Sequence, residues 1–355
     1  MTAPPPPPQV DLVRRTLNPV TRPVKRAWRR FELERDAKLA RFRTADLSVF
    51  HEFQPPPAGG ANQTLRALLG EFLRRGVRVE LSTVSATTRA CLFNSFNFDF
   101  DRLERLAAQR ADDCRMVHRV GAVTSLYRGW DDGTDARVGE LNRKLAEATV
   151  AISHATVEMY RRIGIELVEP RVIYNAVDPE IFHSRGRSPF RRDRKVKLIA
   201  SSWSDNPRKG GPTYRWLESQ LDWSRFEFTF VGNTSVPFER IRHVPSLRSR
   251  ELAQLLRDHD VFVTATENDA YSNALVEALS CGLPAVYLDS GGSGEAVKDA
   301  GLPFTEREEI PALLDLLGEE YEQRQAAISL PTLEEIADEY LDALGLREFV
   351  GVRAP

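Results

Sequence analysis

Residues 261–297 read VFVTATENDAYSNALVEALSCGLPAVYLDSGGSGEAV, and the order of residue types in this stretch decides the architecture. The β-branched and aromatic run at 261–265 predicts a buried strand. A polar loop follows, then a helix at 273–280, a Gly282 stop, a second strand at 285–288 and the loop Gly291–Gly292. Strand, helix and parallel strand make a βαβ unit, whose ligands bind beyond the carboxyl ends of the strands. Ser272 stands where a helix cap is expected. The free N–H groups of Asn273, Ala274 and Leu275 then point, with the positive end of the helix dipole, at a seat for a diphosphate. Glu277 lies one turn further on, and helical side chains lean toward the N-terminus, so its carboxylate reaches the helix mouth. Beside a diphosphate a carboxylate cannot serve as a phosphate ligand, but its two acceptor oxygens suit a ribose diol. Asp269, on the loop before the helix, faces the sugar end of the same ligand. Taken alone, Glu277 complementing the dipole and Asp269 making a turn would account for both residues.

The same alternation extends outward. Strands at 46–50, 77–81, 116–120, 149–152 and 171–174 are predicted ahead of it, with a Pro/Gly loop and a helix at 62–75 between the first two. A second series has strands at 195–200 and 226–231 and helices at 214–220 and 250–257. The predicted fold class is α/β, with two Rossmann-like halves facing across a cleft. A chain of 355 residues with 42% hydrophobic content is large enough for two cores. The expected layout is a Pro-rich lead and basic helix at 1–45, a first domain at 46–178, a second at 179–330, and a helix crossing back with a tail at 331–355.

With 49 basic against 51 acidic residues, the chain offers no global attraction for nucleic acid. Cys91, Cys114 and Cys281 lie far apart, without a CxxC pair, which argues against zinc or a disulfide framework. The start lacks a signal-peptide apolar core, and no run of about 18 apolar residues appears. A cytoplasmic protein is expected. Between residues 11 and 43 eleven basic residues face four acids, and Val24, Trp28, Phe31, Leu39 and Phe42 fall near helical spacing. Such a basic amphipathic helix either lies on an anionic membrane surface, at the inner face of the membrane, or packs on the domain.

An acid at Asp269, seven intervening residues and Glu277, followed by ALSCGLPAV and a Gly-Gly loop, resembles the donor motif of retaining family 4 glycosyltransferases. Supporting matches stand in the family's order: VIYNAVDPEIF at 172–182, like its interdomain turn; DNPRKGG at 205–211, like its Lys-Gly; and FTFVGN at 228–233. The resemblance spans 46–344 and is strongest over 172–304. It implies the two-Rossmann GT-B fold and transfer of a hexosyl unit from a UDP- or GDP-sugar to a glycan, lipid-linked or small-molecule acceptor. By that resemblance, Lys209 contacts the donor diphosphate and Glu277 the ribose. Asp269 and the backbone of Tyr271, Ser272 and Asn273 address the transferred sugar and phosphate. Gly59 and Gly60 resemble the loop that brings first-domain amides to the diphosphate, and Gly291 and Gly292 allow a similar approach or a tight turn. The first domain is expected to supply a sugar-facing histidine, for which His118 at a strand end is the candidate, with Arg119 and Asn97 competing for the space. Asp131 and Asp132 read as a turn, and neither metal nor cofactor is implied, the nucleotide-sugar being a substrate.

Three departures stand out. Asp269 replaces the family's Glu, Ala176 replaces a Gly of the interdomain turn, and SSWSDNP stands where the family often has an arginine. Either Arg208 serves as the second cation or Trp203 reshapes the site. Retention in this family is described as same-face transfer, in which the leaving phosphate oxygen takes the acceptor proton, so no paired carboxylates are needed. Base recognition is expected in the loop at 243–247. Rival readings are a GT-B epimerase or phosphorylase, and a non-catalytic GT-B partner subunit.

Overall fold

The computed structural model describes residues 44–55 and 60–350. The proline tract, the basic segment up to Arg43, and Gly59 lie outside the described residues. The first sheet comprises β1 (Leu47–Phe50), β2 (Val79–Leu81), β3 (Ala90–Asn94), β4 (Arg115–Val120), β5 (Ala148–Ala151) and β6 (Pro170–Val172). Its spatial order is β2-β1-β3-β4-β5-β6. The second comprises β7 (Val196–Ser202), β8 (Phe226–Gly232), β9 (Arg242–Val244), β10 (Val261–Thr264), β11 (Ala285–Leu288) and β12 (Gly301–Phe304), ordered β12-β11-β10-β7-β8-β9. All neighbouring strands pair in parallel. The strand order reverses between β1 and β3 in one sheet and between β7 and β10 in the other, which fixes where each sheet opens a crevice.

The strands run apolar because helices cover both faces: all four residues of β1 and all four of β10 are buried. Parallel pairing demands crossovers, and helices such as Gly60–Arg74 and Asn273–Ser280 provide them. Glycine ends the helix Leu333–Leu344, where the backbone turns left-handed at Gly345 (φ 67°).

That last helix belongs to the first sheet although it follows the second in sequence. Leu333, Ile336, Ala337, Tyr340, Leu341 and Leu344 form one stripe at helical spacing and pack in one cluster with Leu47, Val49, Leu65 and Phe72. Burying each Leu or Ile contributes about 1.5–3 kcal/mol. The Thr332 hydroxyl accepts from Glu335 N, and the Glu335 carboxylate accepts from Thr332 N, so the helix starts with a capping box. Arg75 ties it to the first-domain helix through an ion pair with Asp338 and a bond to the Glu334 carbonyl.

Candidate active-site cleft

The two sheets face each other through the loops at the carboxyl ends of their strands. The Asn273–Ser280 helix meets the first domain at its N-terminus. Asn273 Oδ1 accepts from Thr64 Oγ1 at 3.0 Å and from Asn175 Nδ2 at 3.1 Å. Gly60 is pressed against the same side chain, since a Cβ there would lie 2.0 Å from Asn273 Nδ2. Only glycine permits this approach. Ser272 occupies the N-cap position (φ −65°, ψ 114°), but its side chain makes no cap bond, contrary to the expected role; only its carbonyl is used, accepting from Val276 N.

Glu277 is buried, and its carboxylate has no hydrogen-bond or ion-pair partner among the described residues. Burial pushes its pKa up to about 8. It lines a cleft pocket of about 120 Å³ with Ala274, Asn273, Gly60, Trp203 and Ser246. A buried carboxylate without a partner is costly, and a ligand that donates hydrogen bonds removes that cost.

Lys209 and Asp269 are brought together. Lys209 Nζ lies 2.9 Å from Asp269 Oδ2, both being largely shielded from solvent, and 5.6 Å from the Tyr127 ring centroid. Lys209 ends the 3₁₀ turn Pro207–Lys209, which Asn206 caps by accepting from Arg208 N, and Gly210 continues it at φ 91°. Asp269 is buttressed from behind: a Cβ on Gly291 would lie 2.0 Å from its carbonyl oxygen, and one on Gly292 1.9 Å from that of Ala270. These two glycines therefore serve close packing of the 269–270 loop. Tyr271 is buried and stacks on Tyr174 of the interdomain turn, with ring centroids 5.0 Å apart.

Two expectations need correction. Arg208, expected as a second cation, is instead engaged by the first domain. Its Nη1 donates to the Leu126 carbonyl at 2.6 Å, in the first-domain helix Thr124–Arg128, so the guanidinium bridges the two halves. Nearby, Asn206 Nδ2 donates to the Arg128 carbonyl. His118 does not face the cleft. It is fully buried, stacks on Phe93 at 4.3 Å, and receives the Asn142 amide at Nδ1. Burial lowers its pKa to about 3, so it stays neutral and structural. Asn97 adopts φ 67° and uses its carbonyl to accept from Glu52 N, which makes it a turn residue. Asp131 and Asp132 accept from Gly133 N and Thr134 N, and Asp132 also pairs with Arg128.

Arg119, one residue beyond His118, lies on the opposite side of β4 and is almost fully buried. It donates to Asn94 Oδ1 at 2.8 Å, Asn175 Oδ1 at 2.7 Å and Tyr340 Oη at 3.1 Å. Asn94 continues to His51, and Asn175 to Asn273, so a buried polar chain runs from β1 to the N-terminus of the second-domain helix. Burial foremost, and the nearby Arg119 charge, lower the His51 pKa to about 4. Elsewhere Glu295 of the second domain accepts from His154 N and Ala155 N at the start of the first-domain helix His154–Arg162, and from Tyr174 Oη.

Two parallel Rossmann-like sheets with a crossing-back C-terminal helix define the GT-B class. Solved structures agree: sucrose-phosphate synthase from Thermosynechococcus elongatus superposes with TM-score 0.63 at 14% identity, covering 87% of this chain and 97% of that one. Anabaena HepE in complex with UDP-glucose gives 0.58 at 15% identity, covering 86% and 98%. The catalytic domain of starch synthase IV from Arabidopsis thaliana, bound to ADP and acarbose, gives 0.57 at 10%, covering 88% and 99%. Residues 217–318, in the second half of this GT-B fold, match the family described as glycosyl transferases group 1. A search of curated proteins gives no significant sequence match. Among the described residues no helix is long and apolar enough to cross a membrane.

Proposed function

We propose that this chain is a retaining glycosyltransferase that moves a hexosyl unit from a nucleotide-sugar to a glycan, lipid-linked or small-molecule acceptor. The observation that carries the reading is the buried Glu277 carboxylate, without a partner among the described residues, one turn below a helix N-terminus whose preceding loop holds the Lys209–Asp269 pair. The helix start supplies N–H donors and positive potential for a diphosphate. Hydrogen bonds donated by the ribose diol favour the ionised form of Glu277, which releases its proton on binding and accepts from the diol on one side. On the other, Lys209 neutralises charge growing on the departing nucleoside diphosphate, and Asp269 accepts from a hydroxyl of the transferred sugar. Same-face transfer gives the acceptor proton to the leaving phosphate oxygen, so this chain's groups position and stabilise, with no side-chain base required. The UDP-glucose and ADP complexes of the superposed proteins support a nucleotide-sugar donor.

In the present conformation Lys209 is paired and Arg208 is tied across the domains, which favours as a second reading a GT-B subunit that binds nucleotide-sugar without turnover. One experiment addresses both. Calorimetry against UDP, GDP, ADP and their sugar conjugates, with Glu277→Ala alongside, is expected to show one nucleotide family bound selectively and lost in the variant. Absence of binding to every nucleotide would defeat both readings. Selective binding without sugar transfer or donor hydrolysis would favour the non-catalytic subunit.

A further inference from the structure

The pocket beside Glu277 contains a feature that neither the family motif nor the Lys209–Asp269 pair uses. Trp203 follows β7 directly and lines this pocket while remaining 51% exposed. Its backbone is held: Asn233 Nδ2 donates to the Trp203 carbonyl at 2.7 Å, Asn233 N to the Ser202 carbonyl at 2.9 Å, and Ser202 Oγ to the Ser204 carbonyl at 2.7 Å. Gly232 seals the strand ends, since a Cβ there would lie 1.9 Å from Ser202 O. A large aromatic surface is thus presented on a fixed backbone. The pocket also holds Ser246, whose Oγ is buried and has no hydrogen-bond partner among the described residues. Its remaining lining includes Val231, Leu247 and Leu252, and among the described residues Glu277 is the only ionisable side chain on its wall.

We infer that Trp203 is the stacking platform for the nucleobase of the donor and that the Ser246 hydroxyl reads the edge of that base. This rests on the nucleotide reading of the cleft. With the ribose on Glu277 and the diphosphate at the helix start, the base occupies the remaining direction, where the pocket is neutral and aromatic. A planar heteroaromatic ring satisfies both unused groups: its π face covers the indole, and its carbonyl or N–H edge supplies the missing partner of Ser246. The departure SSWSDNP then has a use: the segment that often carries a family arginine here carries an aromatic base contact.

The test compares UDP, GDP and ADP with base-free ribose 5-diphosphate by titration calorimetry, using wild type, Trp203→Ala, Trp203→Phe and Ser246→Ala. The wild type is expected to prefer one nucleotide over ribose 5-diphosphate. Trp203→Ala is expected to weaken that nucleotide roughly tenfold or more while leaving ribose 5-diphosphate unchanged, and Trp203→Phe to retain most of the affinity. Ser246→Ala is expected to flatten the preference among bases. Quenching of indole fluorescence by the nucleotide in wild type, absent in Trp203→Phe, is the companion readout and survives if the alanine variant fails to fold. Equal nucleotide affinity in wild type and Trp203→Ala overturns the proposal and leaves the nucleotide reading standing. So does equal affinity of the wild type for nucleotide and ribose 5-diphosphate. Failure of the wild type to bind any nucleotide overturns both.

Discussion

The two walls of the cleft handle polarity in opposite ways. On the second-domain wall, Glu277 is buried without a partner and Ser246 has an unsatisfied hydroxyl. Groups there are left incomplete, and under the proposed function a ligand completes them. Behind the first-domain wall, Arg119 is almost fully buried and completed by protein alone, through two side-chain carbonyls and one phenol, all neutral. The contrast separates a surface built to receive hydrogen bonds from a scaffold built to hold position.

Replacing the scaffold's centre gives the largest expected effect. Arg119→Met removes three charge-assisted bonds and strands Asn94, Asn175 and Tyr340, so a loss of about 3–5 kcal/mol in chemical denaturation is expected. A loss below about 1 kcal/mol would put Arg119 among the groups awaiting a ligand and erase the contrast.

On the other wall the expected sign reverses. Glu277 has a folded pKa of about 8, above its ordinary value of 4.5, so the folded chain holds a proton that the unfolded chain has released. Its favourable contribution is fully present below about pH 4.5, declines as pH rises, and is lost above about pH 8. Glu277→Gln is expected to flatten this part of the stability-versus-pH curve by a few kcal/mol while weakening nucleotide binding roughly tenfold to a hundredfold. Differential scanning calorimetry from pH 4 to 9 checks the first, and titration the second. A parallel decline in the variant would assign the slope to other groups.

The smallest effect sharpens the boundary between the walls. Ser272→Ala removes no side-chain cap bond, so a change under about 0.5 kcal/mol is expected, against about 1 kcal/mol for a working serine cap. Thr332→Ala, which removes a true capping box, is the internal control in the same denaturation series.

Much of the second wall was legible in the sequence because its signals are local. One βαβ unit places Asp269, Ser272 and Glu277 within a few residues of each other, and periodicity marks its helix. The first wall was not. Arg119 draws its partners from residues 94, 175 and 340, and no local pattern announces contacts so distant in sequence. Neighbouring residues of a strand point to opposite faces, so His118 and Arg119 lie on opposite sides of β4. His118 meets Asn142 of the Thr134–Leu145 helix, and Arg119 meets Tyr340 of the Leu333–Leu344 helix. Three strands also escaped prediction. Ala-Cys-Leu-Phe-Asn in β3 has no β-branched residue, the Arg-His-Val of β9 is only three residues long, and Gly-Leu-Pro-Phe in β12 carries two strand breakers that an edge position tolerates.

The Leu333–Leu344 helix has a consequence for how the chain is made. Synthesis proceeds from the N-terminus, and domains generally fold as they emerge. Here the earlier half cannot close its core when its own six strands leave the ribosome, because Ile336, Tyr340 and Leu344 must still arrive to cover Leu47, Val49 and Phe72. The sheet born second is therefore the one able to finish first, and the half born first waits until the Leu333–Leu344 helix has followed it.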